Sequence, residues 1–166
     1  MRIERFEDIE AWQLARELTN KVYNLTRKAK FASDFGLKGQ IQNAAGSSMH
    51  NIAEGFDSET NSEFIRFLRY AKRSCTEVQS ELYVALDQQY ITKADFQHVY
   101  DHAGRTRSAI RGFIKYLTAY EQGQRKKSNP EPLNPSLKLC IPYLYYCLSF
   151  SLFGSGLSGL GISFSI

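Results

Sequence analysis

The sequence predicts an all-α protein: an antiparallel up-down-up-down four-helix bundle followed by a non-bundle C-terminal tail. Apolar residues recur at alternating spacings of three and four in four separate segments, which is the period of a single buried stripe on a helix. No segment alternates apolar and polar residues between turn signals, as a half-buried strand would. Three prolines between residues 130 and 135 then end the helical pattern.

The composition suits one domain in a reducing compartment. A chain of 166 residues, 43% hydrophobic and 23% charged, can bury one core. The net charge of +4 permits an acidic partner such as nucleic acid without requiring one. Three cysteines are too few and too scattered for a disulfide framework, and the charged N-terminus lacks the apolar core of a signal peptide. We therefore expect a cytoplasmic protein.

The first two helices are predicted over residues 8–30 and 36–54, with a loop anchored by aromatics at 31–35. The small residues at 44–48 predict a close helix crossing. Gly46 costs roughly 1 kcal/mol of helix propensity relative to alanine, so we expect a packing reason for it. The inner faces of these two helices are predicted to comprise Ala11, Ala15, Leu18, Val22, Leu25, Ala29, Leu37, Ile41, Ala44, Ser48 and Ile52.

The most distinctive stretch is the corner between the second and third helices, with Asn51, Glu54 and Gly55 as its structural residues. Gly55 sits where a helix end favours a positive φ, and Ser62 suits the N-cap of the next helix. The helix dipole disfavours the Glu54 carboxylate at a C-terminus. We expect a structural hydrogen bond to lock it to a neighbouring helix; contact with a ligand or partner is the alternative.

The third and fourth helices are predicted over 62–89 and from Thr92 to Glu121 or Gln122. Thr92 and Asp95 form a capping-box pattern at the start of the fourth. Cys75 falls on the apolar stripe, where a thiol is inert. Aromatic residues off the stripes suggest a wide core or a subunit contact. The inner faces are predicted to comprise Phe64, Leu68, Ala71, Cys75, Val78, Leu82, Ala85, Phe96, Val99, Ala103, Thr106, Ile110, Phe113, Leu117 and Tyr120.

The chain therefore divides into a bundle over residues 1–123 and a tail over 124–166. The tail begins as a proline-containing linker and carries no charge after Lys138. We interpret its apolar part as a disordered or loosely packed appendage that the bundle does not need. A C-terminal membrane anchor is the alternative, because the segment is long enough to span a bilayer. Pro142 and the many serines and glycines weigh against insertion of this segment into a membrane.

Residues 6–120 resemble the four-helix-bundle family encoded in intervening sequences of bacterial large-subunit rRNA genes, to which the accessory variability proteins of diversity-generating retroelements are related. The corner is the most specific part of the likeness. The residues that carry it are Phe6-Glu7-Asp8-Ile9-Glu10-Ala11-Trp12, Gly36-Leu37, Gln40-Ile41, Ala44-Ala45, Asn51-Ile52-Ala53-Glu54-Gly55-Phe56, Glu63-Phe64-Ile65-Arg66-Phe67-Leu68, Ala71-Lys72, Glu77-Val78-Gln79-Ser80-Glu81-Leu82-Tyr83-Val84-Ala85-Leu86-Asp87 and Tyr90-Ile91.

The resemblance implies ring-shaped homopentamers without an assigned activity. Its retroelement members bind a reverse transcriptase and nucleic acid. Gly46, Ser48 and His50 depart from the family pattern, which puts in question how closely the second helix packs. The tail has no counterpart in the family.

A metal or cofactor site finds little support in the sequence. A di-metal bundle needs two Glu-x-x-His motifs and two further carboxylates. The nearest match runs once, from Asp95 to His98. His98 and His102 are four residues apart, but no second cluster supplies the remaining ligands. We expect no metal site, no cofactor and no catalytic residue, and we interpret the two histidines as half-exposed.

Two basic rows give the candidate nucleic-acid site. Each row falls on one helix face and lies off the predicted apolar stripe, so phosphate binding is reasonable. An ordinary solvated helix face is the alternative. We expect a non-enzymatic accessory or scaffold factor for RNA or a reverse transcriptase. A protein scaffold without nucleic-acid binding and a metal-binding bundle remain open. The six candidate residues are Arg66, Arg69, Arg73, Arg107, Arg111 and Lys115.

Overall fold

A computed structural model of the protein describes residues 3–128. In that range the chain forms helices and no strand, which confirms the all-α prediction. The predictions for the tail from residue 129 onward, including the alternative of a membrane anchor, lie outside the described residues. Among the helices of residues 3–128, none has the length and hydropathy needed to cross a bilayer. A 3₁₀ helix, Phe6–Asp8, precedes α1 (Glu10–Leu25), α2 (Ala29–Ser33), α3 (Phe35–Phe56), α4 (Asn61–Asp87) and α5 (Lys93–Ser128).

The first predicted helix is interrupted after α1. Thr26 is fully buried, and its hydroxyl donates to the Tyr23 carbonyl at 3.1 Å and accepts from Gln42 Nε2 at 2.7 Å. A hydroxyl bonded to its own backbone favours a turn over continued helix. The segment predicted as a loop includes most of the short helix α2, because fully buried Phe31 fixes it against the core.

Gly55 has a different structural role from the predicted one. Helix α3 continues through it to Phe56, and its φ lies outside the left-handed region. A Cβ atom at Gly55 would lie 2.6 Å from Cδ2 of Phe64 and 2.7 Å from Cβ of Phe67, closer than packed atoms approach. Glycine is therefore needed for the close approach of α3 and α4, not for a left-handed cap.

The left-handed cap occurs at the end of α4 instead. Gln89 has φ 58°, and the Tyr90 amide donates to the Ala85 carbonyl at 2.9 Å. This is the hydrogen bond of a Schellman motif, in which the left-handed residue is usually glycine. Because the residue here is glutamine, the sequence offered no signal for it.

The N-cap of helix α4 lies two residues before the predicted one. Thr60, not Ser62, is the N-cap: its Oγ1 accepts from the Glu63 amide at 3.2 Å. The spacing from Thr60 to Glu63 fits the capping-box pattern, although Glu63 pairs with Arg66 instead of reaching back.

Helix α5 begins as predicted and ends later. Thr92 and Asp95 exchange hydrogen bonds between backbone amides and side chains at 3.0 and 3.1 Å. Hydrogen bonds from Lys28 and then from Thr92 lower the pKa of Asp95 to about 2. The helix passes Gly123 and ends at Ser128, two residues before the first proline of the chain that follows it. One exposed glycine costs only about 1 kcal/mol of helix propensity, which is too little to stop a long helix.

The predicted apolar stripes form the core. All the predicted inner-face residues of α3 and α4 are buried, including Ser48 and Cys75. Three exceptions lie at stripe ends: Ala29 and Tyr120 are exposed, and Phe96 is half-buried. Phe113 is also half-buried, although Leu117 beyond it is buried. Burial raises the pKa of the Cys75 thiol to about 12, so the thiol is protonated at neutral pH.

Within residues 3–128, each of the four long helices contacts two others. Helices α1 and α3 meet where Thr19 Oγ1 donates to the Ala45 carbonyl at 3.0 Å. Helices α3 and α4 meet at Gly55, and α5 contacts both α4 and α1 through side chains described below. The predicted close crossing at 44–48 is present at Ala45. Gly46 does not explain it, since a Cβ there would contact only His50 of the same helix, at 3.4 Å or more.

Candidate nucleic-acid interface

The first basic row lies on the exposed face of α4, and we call Arg66, Arg69 and Arg73 the α4 row. Arg66 pairs with Glu63 at 2.9 Å and lies 5.7 Å from the Phe67 ring centroid. The Arg73 guanidinium lies 5.9 Å from the centroid of the neighbouring Tyr70 ring. Ring contacts of this kind restrain long side chains near the helix while their charge stays exposed.

The second row lies on the exposed face of α5, and we call Arg107, Arg111 and Lys115 the α5 row. Its members are four residues apart, which is a rise of about 6 Å per step along a helix. Arg107 Nη1 donates to Gln79 Oε1 at 3.5 Å, and Gln79 Nε2 donates to the Tyr100 carbonyl at 3.2 Å. Gln79 therefore links this row to α4.

The structure brings the two rows side by side. Phe64 lies two residues before the α4 row, and Phe113 lies two residues before Lys115. Their rings pack edge to face with centroids 5.4 Å apart. At the other end, Arg107 bonds to Gln79, a few residues beyond the α4 row. The six cations therefore occupy the same stretch of two neighbouring helices.

Acidic residues bound this basic surface. Beyond the α4 row, α4 continues with Glu77 and Glu81. Burial, and then the neighbouring Glu77 charge, raise the pKa of Glu81, so this pair disfavours further negative charge. A polyanion on the rows would therefore be repelled at that end.

Sequence reasoning missed Gln79, the residue that anchors Arg107. It is 9% exposed. Its position, four after Cys75 and three before Leu82, places it on the inner side of α4. A polar residue at an inward position requires a partner, and that signal could have identified it.

The three corner residues have different surroundings. Asn51 Nδ2 donates to the Ser47 carbonyl of its own helix at 2.7 Å. Glu54 is exposed, and in the described part of the chain its carboxylate makes no hydrogen bond or ion pair. The expected structural bond from Glu54 is therefore wrong. The corner is held by the contact of Gly55 with α4 instead.

The two histidines have separate partners. His98 is exposed and accepts from Lys21 Nζ at 2.9 Å. His102 is 1% exposed, which contradicts the half-exposed prediction. Its Nε2 donates to the Leu14 carbonyl at 2.9 Å, and its Nδ1 accepts from Arg105 at 3.2 Å. Within the residues that the structure describes, no three histidine, cysteine or acidic side chains are grouped to hold a metal ion.

These features define a protein that is helical over its described residues, with a paired basic surface on two neighbouring helices. The family model for the 23S rRNA-intervening sequence protein matches residues 7–112, more than half of the chain. The chain belongs to that family. The match covers all of α1 to α4 and the first part of α5, including Arg107 and Arg111 but not Lys115.

A solved structure shares the fold. It is the crystal structure of a protein of unknown function from the S23 ribosomal protein family of Bacteroides thetaiotaomicron VPI-5482. The two are 20% identical with a TM-score of 0.60, and the alignment covers 63% of this chain and 98% of that one. No curated protein sequence matches the chain.

Proposed function

We propose that this protein is a non-enzymatic, cytoplasmic accessory or scaffold factor that binds RNA, or an enzyme acting on nucleic acid such as a reverse transcriptase. The observation that carries the proposal is the placement of the α4 and α5 rows side by side. A paired row presents two lines of charge to a phosphate backbone where a single row presents one. The accessory role comes from the likeness to retroelement proteins.

The framework we propose is an antiparallel up-down-up-down bundle that assembles as a homopentamer. The contacts of α4 with α5 support the antiparallel arrangement, since Tyr83, late in α4, meets Phe96, early in α5, and Phe64 meets Phe113. In a ring, each subunit would repeat the same basic surface around the axis. Repetition multiplies a weak field and adds avidity without new contacts.

The binding mechanism is electrostatic. Phosphates displace counterions from the arginine and lysine side chains, so affinity falls steeply with salt concentration. Few contacts would read base identity, because the α4 and α5 rows consist of cations on exposed helix faces. Replacing Arg107, Arg111 and Lys115 with glutamine should weaken binding to all RNA sequences alike and reduce the salt slope by up to about three, roughly one per lost phosphate contact.

The test is a salt titration of RNA binding by the wild type and this triple variant. The matched control replaces Arg16, Arg27 and Lys30 with glutamine: it removes the same charge from exposed positions on and near α1. The control should retain most of the affinity. Equal losses in both variants would mean that net charge alone attracts RNA. If the wild type binds no RNA at about 50 mM salt, the nucleic-acid proposal is wrong.

A protein-interaction scaffold is the second candidate, and the exposed aromatic side chains favour it. Tyr70 and Tyr83 on α4 are 41% and 50% exposed. Aromatic residues are enriched at protein interfaces. Capture of a reverse transcriptase by the triple variant as well as by the wild type would favour this candidate.

A third candidate, a metal-binding bundle, would require bound transition metal in the purified protein.

A further inference from the structure

A groove of about 650 Å³ opens between the N-terminal segment and α5. Its size lies within the roughly 300–1,000 Å³ typical of ligand pockets. A smaller hollow of about 240 Å³ shares three of its residues, Ile3, Phe113 and Tyr116. The residues that matter for the groove are Ile3, Asp8, Glu10, Gly112, Phe113 and Tyr116.

Tyr116 presents an exposed ring that is held in place. It is 62% exposed, and its ring lies 15° from the plane of the Phe113 ring with centroids 6.3 Å apart. Phe113 in turn packs edge to face on buried Phe64. These successive ring contacts fix the orientation of the Tyr116 ring. Its free face can therefore accept another ring with little loss of side-chain entropy.

Gly112 leaves the floor of the groove open. A methyl group at its Cα would have no atom within 4 Å, apart from its own helix backbone and chain neighbours. Packing within the described chain therefore does not require glycine here, although glycine costs about 1 kcal/mol in a helix. Its absent side chain allows a flat ligand to approach the helix backbone.

The groove adjoins the α5 row. Arg111 precedes Gly112, and Lys115 precedes Tyr116. Successive helical residues are rotated by about 100°, and residues four apart share a face. The two cations therefore form one strip along α5, and Gly112 and Tyr116 form the next strip.

The two sides of the groove differ in charge. Asp8 and Glu10 line it on the side of the N-terminal segment. Asp8 is engaged by the backbone amides of Glu4 and Arg5, whereas Glu10 is exposed. Carboxylates repel phosphate but accept hydrogen bonds from the amino groups of bases. A strand would therefore place its phosphates on the cationic strip and its bases in the groove.

We propose that this groove holds an unstacked base of a single-stranded nucleic acid whose phosphates lie on Arg111 and Lys115. The inference rests on the proposed function and specifies its substrate: a single strand in preference to a duplex. In a duplex, paired and stacked bases cannot enter the groove. Stacking on Tyr116 tolerates any base, so we expect strand preference without strong sequence preference.

The test measures binding of the full-length protein to three labelled oligonucleotides of about ten nucleotides, a length within known single-strand site sizes. They are a single strand, its duplex and the same single strand with abasic sites. The wild type should prefer the intact single strand. Tyr116→Ala should weaken single-strand binding about 5- to 150-fold, the range for losing one stacked base, and leave duplex binding unchanged.

Two variants serve as controls. Tyr116→Phe keeps the stacking face and should bind like the wild type. Tyr23→Ala removes a tyrosine of α1 that is 44% exposed and should also bind like the wild type. The abasic strand needs no variant: it keeps every phosphate, so wild-type protein should bind it as weakly as Tyr116→Ala binds the intact strand.

The outcomes separate this inference from the proposed function. Salt-dependent binding that is equal for all three oligonucleotides would overturn the base groove and leave phosphate binding intact. Absence of binding to every oligonucleotide would overturn both. A Tyr116→Ala variant with unchanged single-strand affinity but an altered oligomer mass would show that the groove is a subunit contact, and would overturn the inference.

Discussion

At the scale of single residues, Gly55 shows why a correct motif can carry a wrong explanation. Its place at a helix end predicted a positive φ, but its backbone is helical and its missing side chain is what matters. Sequence position can indicate that glycine is needed, whereas the reason depends on which side chains of another helix arrive there. Here those side chains are Phe64 and Phe67 of α4.

Gly55→Ala should therefore destabilise the protein. The new methyl group would lie 2.7 Å from Cβ of Phe67, which cannot move without the α4 backbone. Overpacking of this kind typically costs about 1–3 kcal/mol, and the gain in helix propensity of about 1 kcal/mol offsets only part of it. Urea unfolding followed by circular dichroism would measure the change.

Gly39→Ala is the matched control in the same helix. A methyl group there has no neighbour within 4 Å, so the variant should be up to about 1 kcal/mol more stable than the wild type. A Gly55→Ala protein as stable as the Gly39→Ala protein would contradict the close-approach explanation.

At the scale of elements, apolar spacing predicted which face of each long helix is buried, because the period of the α-helix fixes that relation. Helix ends were less accessible to sequence reasoning. Thr60 and Ser62 are both good caps, and the capping-box spacing from Thr60 to Glu63 was the sequence signal, overlooked in the prediction, for the cap that the structure shows. The burial of His102 was misjudged and Gln79 was missed for another reason. His102 bonds to the Leu14 carbonyl and Gln79 to the Tyr100 carbonyl, and both partners are distant in sequence.

The end of α4 gives a testable case. Gln89 occupies a left-handed conformation with φ 58°, which costs a residue with a side chain roughly 1–2 kcal/mol. Gln89→Gly should remove that cost but increase the entropy of the unfolded chain, for a net stabilisation of about 1 kcal/mol. Thermal and urea unfolding would both report it.

The neighbouring substitution provides the control. Gln88 has φ −78°, so Gln88→Gly relieves nothing and should lower stability by a few tenths of a kcal/mol or more. If Gln88→Gly and Gln89→Gly lowered the stability equally, relief of backbone strain at Gln89 would not determine the effect of the substitution.

At the scale of the whole molecule, the long helices enclose one core, yet aromatic and aliphatic side chains remain on the outside. Tyr83 and Val84 are 50% and 43% exposed near the end of α4, and Tyr116 and Tyr120 are 62% and 51% exposed on α5. Sequence spacing located Tyr83 off the apolar stripes and Tyr120 on one of them, but it does not predict what covers these residues. The surroundings of Tyr116 and Val84 suit different partners. The Tyr116 ring borders the basic rows, which suits nucleic-acid stacking. Val84 lies beyond the acidic pair Glu77 and Glu81, which suits a subunit contact.

We therefore expect Val84, and not Tyr116, to lie in a subunit contact. Light scattering should give about 95 kDa, five times the 19.0 kDa chain, at tens of micromolar protein. Val84→Glu places a charge in the contact and should reduce the mass, because desolvating an unpaired carboxylate opposes association. Thr76→Glu adds the same charge at another exposed position of α4 and should leave the mass unchanged. A wild-type mass of one chain at these concentrations would rule out the ring. It would also remove the repetition on which strong binding by the basic rows depends, so the same sample should then show only weak RNA affinity even at low salt.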